Sequence, residues 1–262
     1  MFFEFDEGKI YYNDIGEGFP VVLLHGYLES SDIWDDFAKK LSEKHRVISV
    51  DLPGHGMSGS YGSTHTMEFM ANIVKELLDT RGIRKVFLTG HSLGGYVALA
   101  FLELFPETLS GYSLFHSQPF PDTPEAIEKR MREITLTKEG KQEIFYPDNI
   151  RRMFAGSNLE KFNCAVKHSM DIASGLNGDG MIAVLNGMMT RPSRLSLMEE
   201  GRVPCLWILG AMDNYISCEN IQKRVNLPSN ARVVVLHNSG HMGFVEEEDK
   251  SVEVITEFVY QL

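Results

Sequence analysis

The sequence predicts an α/β fold, a mostly parallel sheet flanked by helices, and three observations carry that prediction. Short, wholly apolar runs recur along the chain, as at Val21-Val22-Leu23-Leu24, and such runs suit strands covered on both faces. Between them lie segments with apolar residues three and four apart, the helical period. The two kinds alternate, which implies parallel strands joined by helical crossovers.

Taken in order, residues 2–5 and 9–13 read as two strands joined by a turn at Asp6-Glu7-Gly8. Residues 20–24 follow Gly16-Glu17-Gly18 as a buried strand, and a helix is expected over 33–41. Strands over 47–50 and 86–89 alternate with helices over 67–78 and 96–105. Residues 111–115 form a weaker strand, 206–209 and 232–236 clear ones, and 252–262 a closing helix. The count is eight strands. Residues 119–197 break the rhythm, because Pro119, Pro121, Pro124, Pro147 and Pro192 punctuate helical pieces and no strand is evident. Met131, Met153, Met170, Met181, Met188, Met189 and Met198 concentrate there. Methionine fills gaps in small helical cores, and it also lines adaptable apolar pockets.

Bulk properties exclude several classes. A formal charge of -11 and the lack of any basic run argue against a nucleic-acid partner. No apolar stretch approaches the roughly 18 residues that span a bilayer, and the first residues lack the basic start of a signal peptide. Cys164, Cys205 and Cys218 are scattered, as expected of reduced thiols rather than a disulfide framework or zinc site. The expectation is a cytoplasmic protein acting on a small molecule, with no cofactor, no metal and no membrane partner. Oligomeric state leaves no mark in the sequence.

Gly90-His91-Ser92-Leu93-Gly94 matches G-x-S-x-G between a strand and a helix. A tight strand-to-helix turn lifts the central serine above the sheet, and small neighbours leave room for it. The helix N-terminus behind Ser92 adds free N–H groups and positive potential for an oxyanion. A serine hydroxyl needs a base, and the base needs an orienting carboxylate. Asp213 follows the strand at 206–209 and His241 follows the strand at 232–236, in the order Ser…Asp…His. Asp213 alone would pass for a turn cap and His241 for a surface loop histidine, so their joint placement after successive strands carries the assignment. His25-Gly26-Tyr27 closes the strand at 20–24, where the N–H groups of Tyr27 and Leu93 would form the oxyanion hole. His25 is expected to support that corner, and Tyr27 and His91 to bound the substrate.

Two other motifs fail. Gly54-His55-Gly56-Met57-Ser58-Gly59 satisfies G-x-G-x-x-G, but Ser60-Tyr61-Gly62-Ser63 is loop-like where dinucleotide binding needs a helix. His237 and His241 stand four apart, yet Asn238-Ser239-Gly240 breaks the helix a zinc pair would need.

Together His25-Gly26, residues 51–58, residues 90–95, Gly210 with Asp213, and Gly240-His241 with Glu246 resemble the α/β-hydrolase fold superfamily, in its cap-bearing esterase and lipase-like branch. The resemblance implies Ser92 as nucleophile, Asp213 as acid and His241 as base. It also implies a helical cap or lid at 119–197, inserted after the sixth strand of a core made of 1–118 and 198–262. Some relatives carry the acid after that sixth strand; here His116-Ser117-Gln118 offers no carboxylate, which favours Asp213. The expected activity is hydrolysis of a small to medium apolar carboxylic ester through an acyl-enzyme. The same triad serves C–C bond hydrolysis, lyase, thioesterase and cofactor-free peroxidase chemistry, and a third reading is a hydrolase-like ligand receptor.

Overall fold

The computed structural model describes residues 1–6 and 8–262. Eight strands form one sheet in the order β1-β2-β4-β3-β5-β6-β7-β8. They are β1 (Phe2–Phe5), β2 (Gly8–Ile15), β3 (Pro20–Leu24), β4 (Arg46–Val50), β5 (Val86–His91), β6 (Leu109–Phe115), β7 (Cys205–Gly210) and β8 (Ala231–Leu236). The first two pairings, β1 with β2 and β2 with β4, are antiparallel, and the other five are parallel. This is the mostly parallel α/β sheet the sequence predicts. The turn expected at Asp6-Glu7-Gly8 includes Glu7, which lies outside the described residues.

Helices α1 (Asp35–Leu41), α2 (Met67–Thr80) and α3 (Leu93–Leu104) separate the strands from β3 to β6. Between β6 and β7 come α4 (Pro124–Lys138), α5 (Tyr146–Met153), α6 (Asn163–Ser174), α7 (Gly178–Thr190) and α8 (Leu195–Glu200). After β7 follow α9 (Cys218–Gln222), α10 (Gly243–Glu246) and α11 (Glu248–Val259). Helix α3 begins three residues earlier than the periodicity suggested, because Gly94 and Gly95 form its first turn. Both are poor helix formers. A Cβ on Gly94 would overlap the Leu24 carbonyl, so the turn owes its place to close packing on β3.

An all-apolar strand still has two faces, one for each parity of residue. On β3, Val22 and Leu24 pack with Met70 and Val74 of α2 and Val97 and Phe101 of α3. Val21 and Leu23 face the other way, into a cluster with Phe37 and Leu41 of α1 and Ile255 and Phe258 of α11. Each such side chain removed from water stabilises by about 1.5–3 kcal/mol, so the strands are held by two cores, one on each face.

The helices between β6 and β7 lie against the loops that follow β4. His65 N–H donates to Ala183 O of α7 at 2.8 Å, and a Cβ on Gly187 would overlap His65 O. Gly187→Ala should therefore push α7 off this loop and cost about 1–3 kcal/mol, read as a lower urea midpoint. An unchanged midpoint would mean that the two segments are not in close contact.

Candidate active site

Ser92 sits between β5 and α3 with φ 48° and ψ -110°, a left-handed conformation that costs a non-glycine residue about 1–3 kcal/mol. Its neighbours hold it there. Ser92 N–H donates to Phe115 O at 3.0 Å, and Ser92 O accepts from Ser117 Oγ at 2.7 Å. Trp207 Nε1 in turn donates to Ser117 O at 2.9 Å. The Ser92 side chain faces a cavity of about 200 Å³, lined also by Tyr27, His241, Tyr215 and residues of α4 and α5. Its hydroxyl makes no hydrogen bond among the described residues; such contacts commonly tighten only when substrate binds.

His241 lies opposite, 2 % exposed. Its Nδ1 donates to Asp213 Oδ2 at 2.7 Å. Asp213 Oδ1 accepts from the backbone N–H groups of Tyr215 and Ile216, at 2.7 and 3.0 Å. Burial alone would push the Asp213 carboxyl up and the His241 ring down. The pair reverses both: Asp213 falls below the usual carboxylate range, and His241 rises above the usual histidine range.

The corner expected to supply the oxyanion hole follows β3. Gly26 N–H donates to Glu29 Oε2 at 2.5 Å, while the next amide, Tyr27 N–H, finds no acceptor among the described residues. Leu93 N–H, the first of α3, has none either, as expected of a helix N-terminus. The Leu93 side chain is buried in the sheet core, so it meets the site through its amide alone. His25 has the supporting place expected of it: Nε2 accepts from Leu52 N–H at 2.9 Å, and Nδ1 donates to Gly26 O at 2.7 Å.

His91 corrects the sequence reading. It does not line the cavity; its ring is wholly buried, with Nδ1 2.9 Å from Glu29 Oε2 and Nε2 2.8 Å from the His241 carbonyl. The reason is strand parity, since the ring leaves β5 on the side away from the cavity that Ser92 faces. His91 thus joins the Tyr27 corner, through Glu29, to the loop of the base. Burial pushes the Glu29 carboxyl up, but the His91 ring, the Gly26 N–H and the His25 ring together outweigh it and the net shift is downward.

Three further groups escaped the sequence reading. His116 occupies the end of β6, where its Nε2 accepts from Gly243 N–H at 3.0 Å. Its proton is thereby placed on Nδ1, which faces Asp213 Oδ2 at 3.7 Å. Burial holds its pKa well below the ordinary value. Glu246, noted in the sequence without a role, is a clasp: Oε2 accepts from Gly240 N–H and Oε1 from Ala155 N–H, both at 2.8 Å. His241 N–H also donates to Met153 O at 2.6 Å. The loop carrying the base is therefore fastened to the end of α5. Third, Asp122, Lys129, Arg130 and Glu133 line the cavity beside Met153 and Met188. The wall is mixed: of the methionines that the sequence offered either to a core or to a pocket, Met153 and Met188 line it beside these charges.

Two outcomes follow. His91→Ala leaves the buried Glu29 carboxyl without its ring partner and should cost about 1–3 kcal/mol of stability; a purely substrate-binding histidine would change KM and leave unfolding alone. In an NMR titration, the His241 ring should titrate above the ordinary value of about 6.5. In Asp213→Asn burial then dominates, and the same resonance should titrate below it.

The matching family model is that of the α/β hydrolase fold, over residues 20–155, just over half the chain. A Bacillus subtilis (strain 168) protein that carries the name of a 2-succinyl-6-hydroxy-2,4-cyclohexadiene-1-carboxylate synthase is 28% identical over 252 residues, 91% of this chain and 89% of that protein. Other relatives match over a shorter stretch. Among them is a 2-hydroxy-6-oxononadienedioate/2-hydroxy-6-oxononatrienedioate hydrolase from Paraburkholderia phymatum, 38% identical over 107 residues, 38% of this chain and 37% of that protein. Among solved structures, a thermophilic esterase from Thermogutta terrifontis with malate bound superposes with a TM-score of 0.90 at 28% identity, covering 97% of this chain and 94% of that one. With the sheet order, the turn at Ser92 and the match over more than half its length, the chain belongs to the α/β hydrolase fold family.

Proposed function

We propose that the protein is a serine hydrolase that cleaves carboxylic esters through an acyl-enzyme on Ser92. The observation that carries this reading is the Asp213–His241 hydrogen bond of 2.7 Å opening onto the same cavity as Ser92. In this mechanism His241 takes the Ser92 proton as Oγ attacks the ester carbonyl, while Asp213 orients the ring and stabilises its charged form. The unpartnered N–H groups of Tyr27 and Leu93 receive the oxyanion. The alcohol leaves with the proton from His241, and a water activated by the same ring releases the acid. The helices over residues 119–197 act as a cap that closes the cavity. No helix of the described residues is long and apolar enough to cross a membrane, and the free cysteines suit a reducing, cytoplasmic setting.

A second reading keeps these residues and changes the bond broken. It is favoured by the relatives' names, which span a synthase and a dienedioate hydrolase as well as an esterase. A panel of p-nitrophenyl esters, thioesters and vinylogous diketones separates the two.

Ser92→Ala should lower kcat on the preferred substrate by roughly 10⁴–10⁶-fold, and a fluorophosphonate probe should label wild type and not the variant. Asp213→Asn should cost roughly 10⁴-fold. Wild-type turnover by Ser92→Ala would remove the assignment. Because His241 must be neutral to accept the proton, and its pKa is raised, the acid limb of kcat/KM should lie above about pH 6.5.

A further inference from the structure

The cations around the cavity are not equivalent. Arg130 is bidentate on Asp122, at 2.6 and 3.1 Å, and Arg191 reaches the same carboxylate at 2.8 Å. Lys129 has no carboxylate locked onto it. Its Nζ donates to the neutral Asn149 Oδ1 at 3.0 Å and stands 3.7 Å from Glu133 Oε1. That oxygen already accepts from Asn149 Nδ2 at 2.9 Å, so the amide is wedged between ammonium and carboxylate. An ammonium has three N–H bonds; one goes to Asn149, no other hydrogen bond is made among the described residues, the Tyr215 ring faces the ammonium at 5.3 Å, and Lys129 lines the cavity.

Two carboxylates also face this cavity. Asp122 is shared between two guanidiniums, and Glu133 is engaged by Asn149 with Lys129 beyond it. The charge left to a ligand at this wall is therefore positive, inside a chain of formal charge -11. The Tyr27 hydroxyl is buried with no hydrogen-bond partner and lies in the fields of Glu133 and Arg130, a second donor at the same end. Partial loss of water lowers the Lys129 pKa despite the opposing field of Glu133; a bound anion would reverse that. On the outer side, a second cleft of about 200 Å³ shares Lys129, Glu133 and Asn149 and adds Arg132 and Arg152 against Asp148. It gives an anion a cationic approach.

We propose that the substrate is an acyl compound carrying a carboxylate remote from the bond that is cleaved, and that the Lys129 ammonium binds this carboxylate. The proposal rests on the serine-hydrolase reading and adds the charge of the acyl chain. Leu28, Met188 and Ile216 line the same cavity and accommodate the methylenes between the carboxylate and the carbonyl at Ser92.

The test compares the mono-p-nitrophenyl ester of glutaric acid with p-nitrophenyl valerate, of equal acyl length. Wild type should favour the anionic ester in kcat/KM by about 10- to 100-fold, the scale of one charged hydrogen bond. In Lys129→Met that ratio should fall at least about tenfold, mainly through KM for the anionic ester, and Lys129→Arg should restore most of it. A wild-type preference for the valerate, or a ratio unchanged in Lys129→Met, overturns the proposal while leaving the hydrolase reading intact. Failure of wild type to cleave either ester overturns both.

Discussion

Ser92 holds a backbone conformation of φ 48° and ψ -110° that its own chemistry disfavours, and the cavity it faces depends on the protein's capacity to enforce it. The enforcement is distributed: Phe115 O and Ser117 Oγ bind the Ser92 peptide, Trp207 holds Ser117, and Gly94 lets α3 close on the Leu24 carbonyl. Strain of about 1–3 kcal/mol is small beside the burial on both sheet faces that fixes β3, β5 and β6. The result is a hydroxyl projecting into the cavity, with an unpaired Leu93 N–H behind it. A relaxed turn would turn the hydroxyl aside and fill the amide.

Around that turn, polar groups far apart in sequence form one connected structure. Glu29 takes the Gly26 N–H and the His91 ring, and His91 passes the connection to the His241 carbonyl. Asp213 receives His241 directly, with His116 beside it. Glu29 Oε1 and His116 Nδ1 have no hydrogen-bond partner among the described residues, so the network is tight along this line and incomplete at its sides. The corner after β3 and the loop that carries His241 are thus joined through Glu29 and His91, the kind of fixed arrangement that preorganised dipoles need.

Much of this was legible in the sequence, and the limits are physical. Period and composition mark β3, β5 and β7 because residues buried on both sides must be apolar, and the Ser92 turn is legible because only small residues fit around it. The order Ser92, Asp213, His241 reflects strand ends in succession. His91 was misplaced because its partners, Glu29 and the His241 carbonyl, lie 62 and 150 positions away. His116 carries no local signal for the same reason, and Glu246 showed its nearby Gly240 but not Ala155, 91 positions away. The charged wall of the cavity was hidden because Lys129 and Glu133 read as an ordinary i, i+4 pair on a solvated helix; only the fold shows that this helix face closes a cavity.

The Glu246 clasp has a consequence for heat and time. Helix α5 ends at Met153, whose carbonyl holds the His241 amide, and Ala155 shares Glu246 with Gly240. Ile150, Met153 and Phe154 belong to the core on one face of the sheet, so this helical end is held by packing as well as by the clasp. The loop that carries His241 is therefore tied into the core that fixes the strands, and on warming its loosening requires loss of that packing.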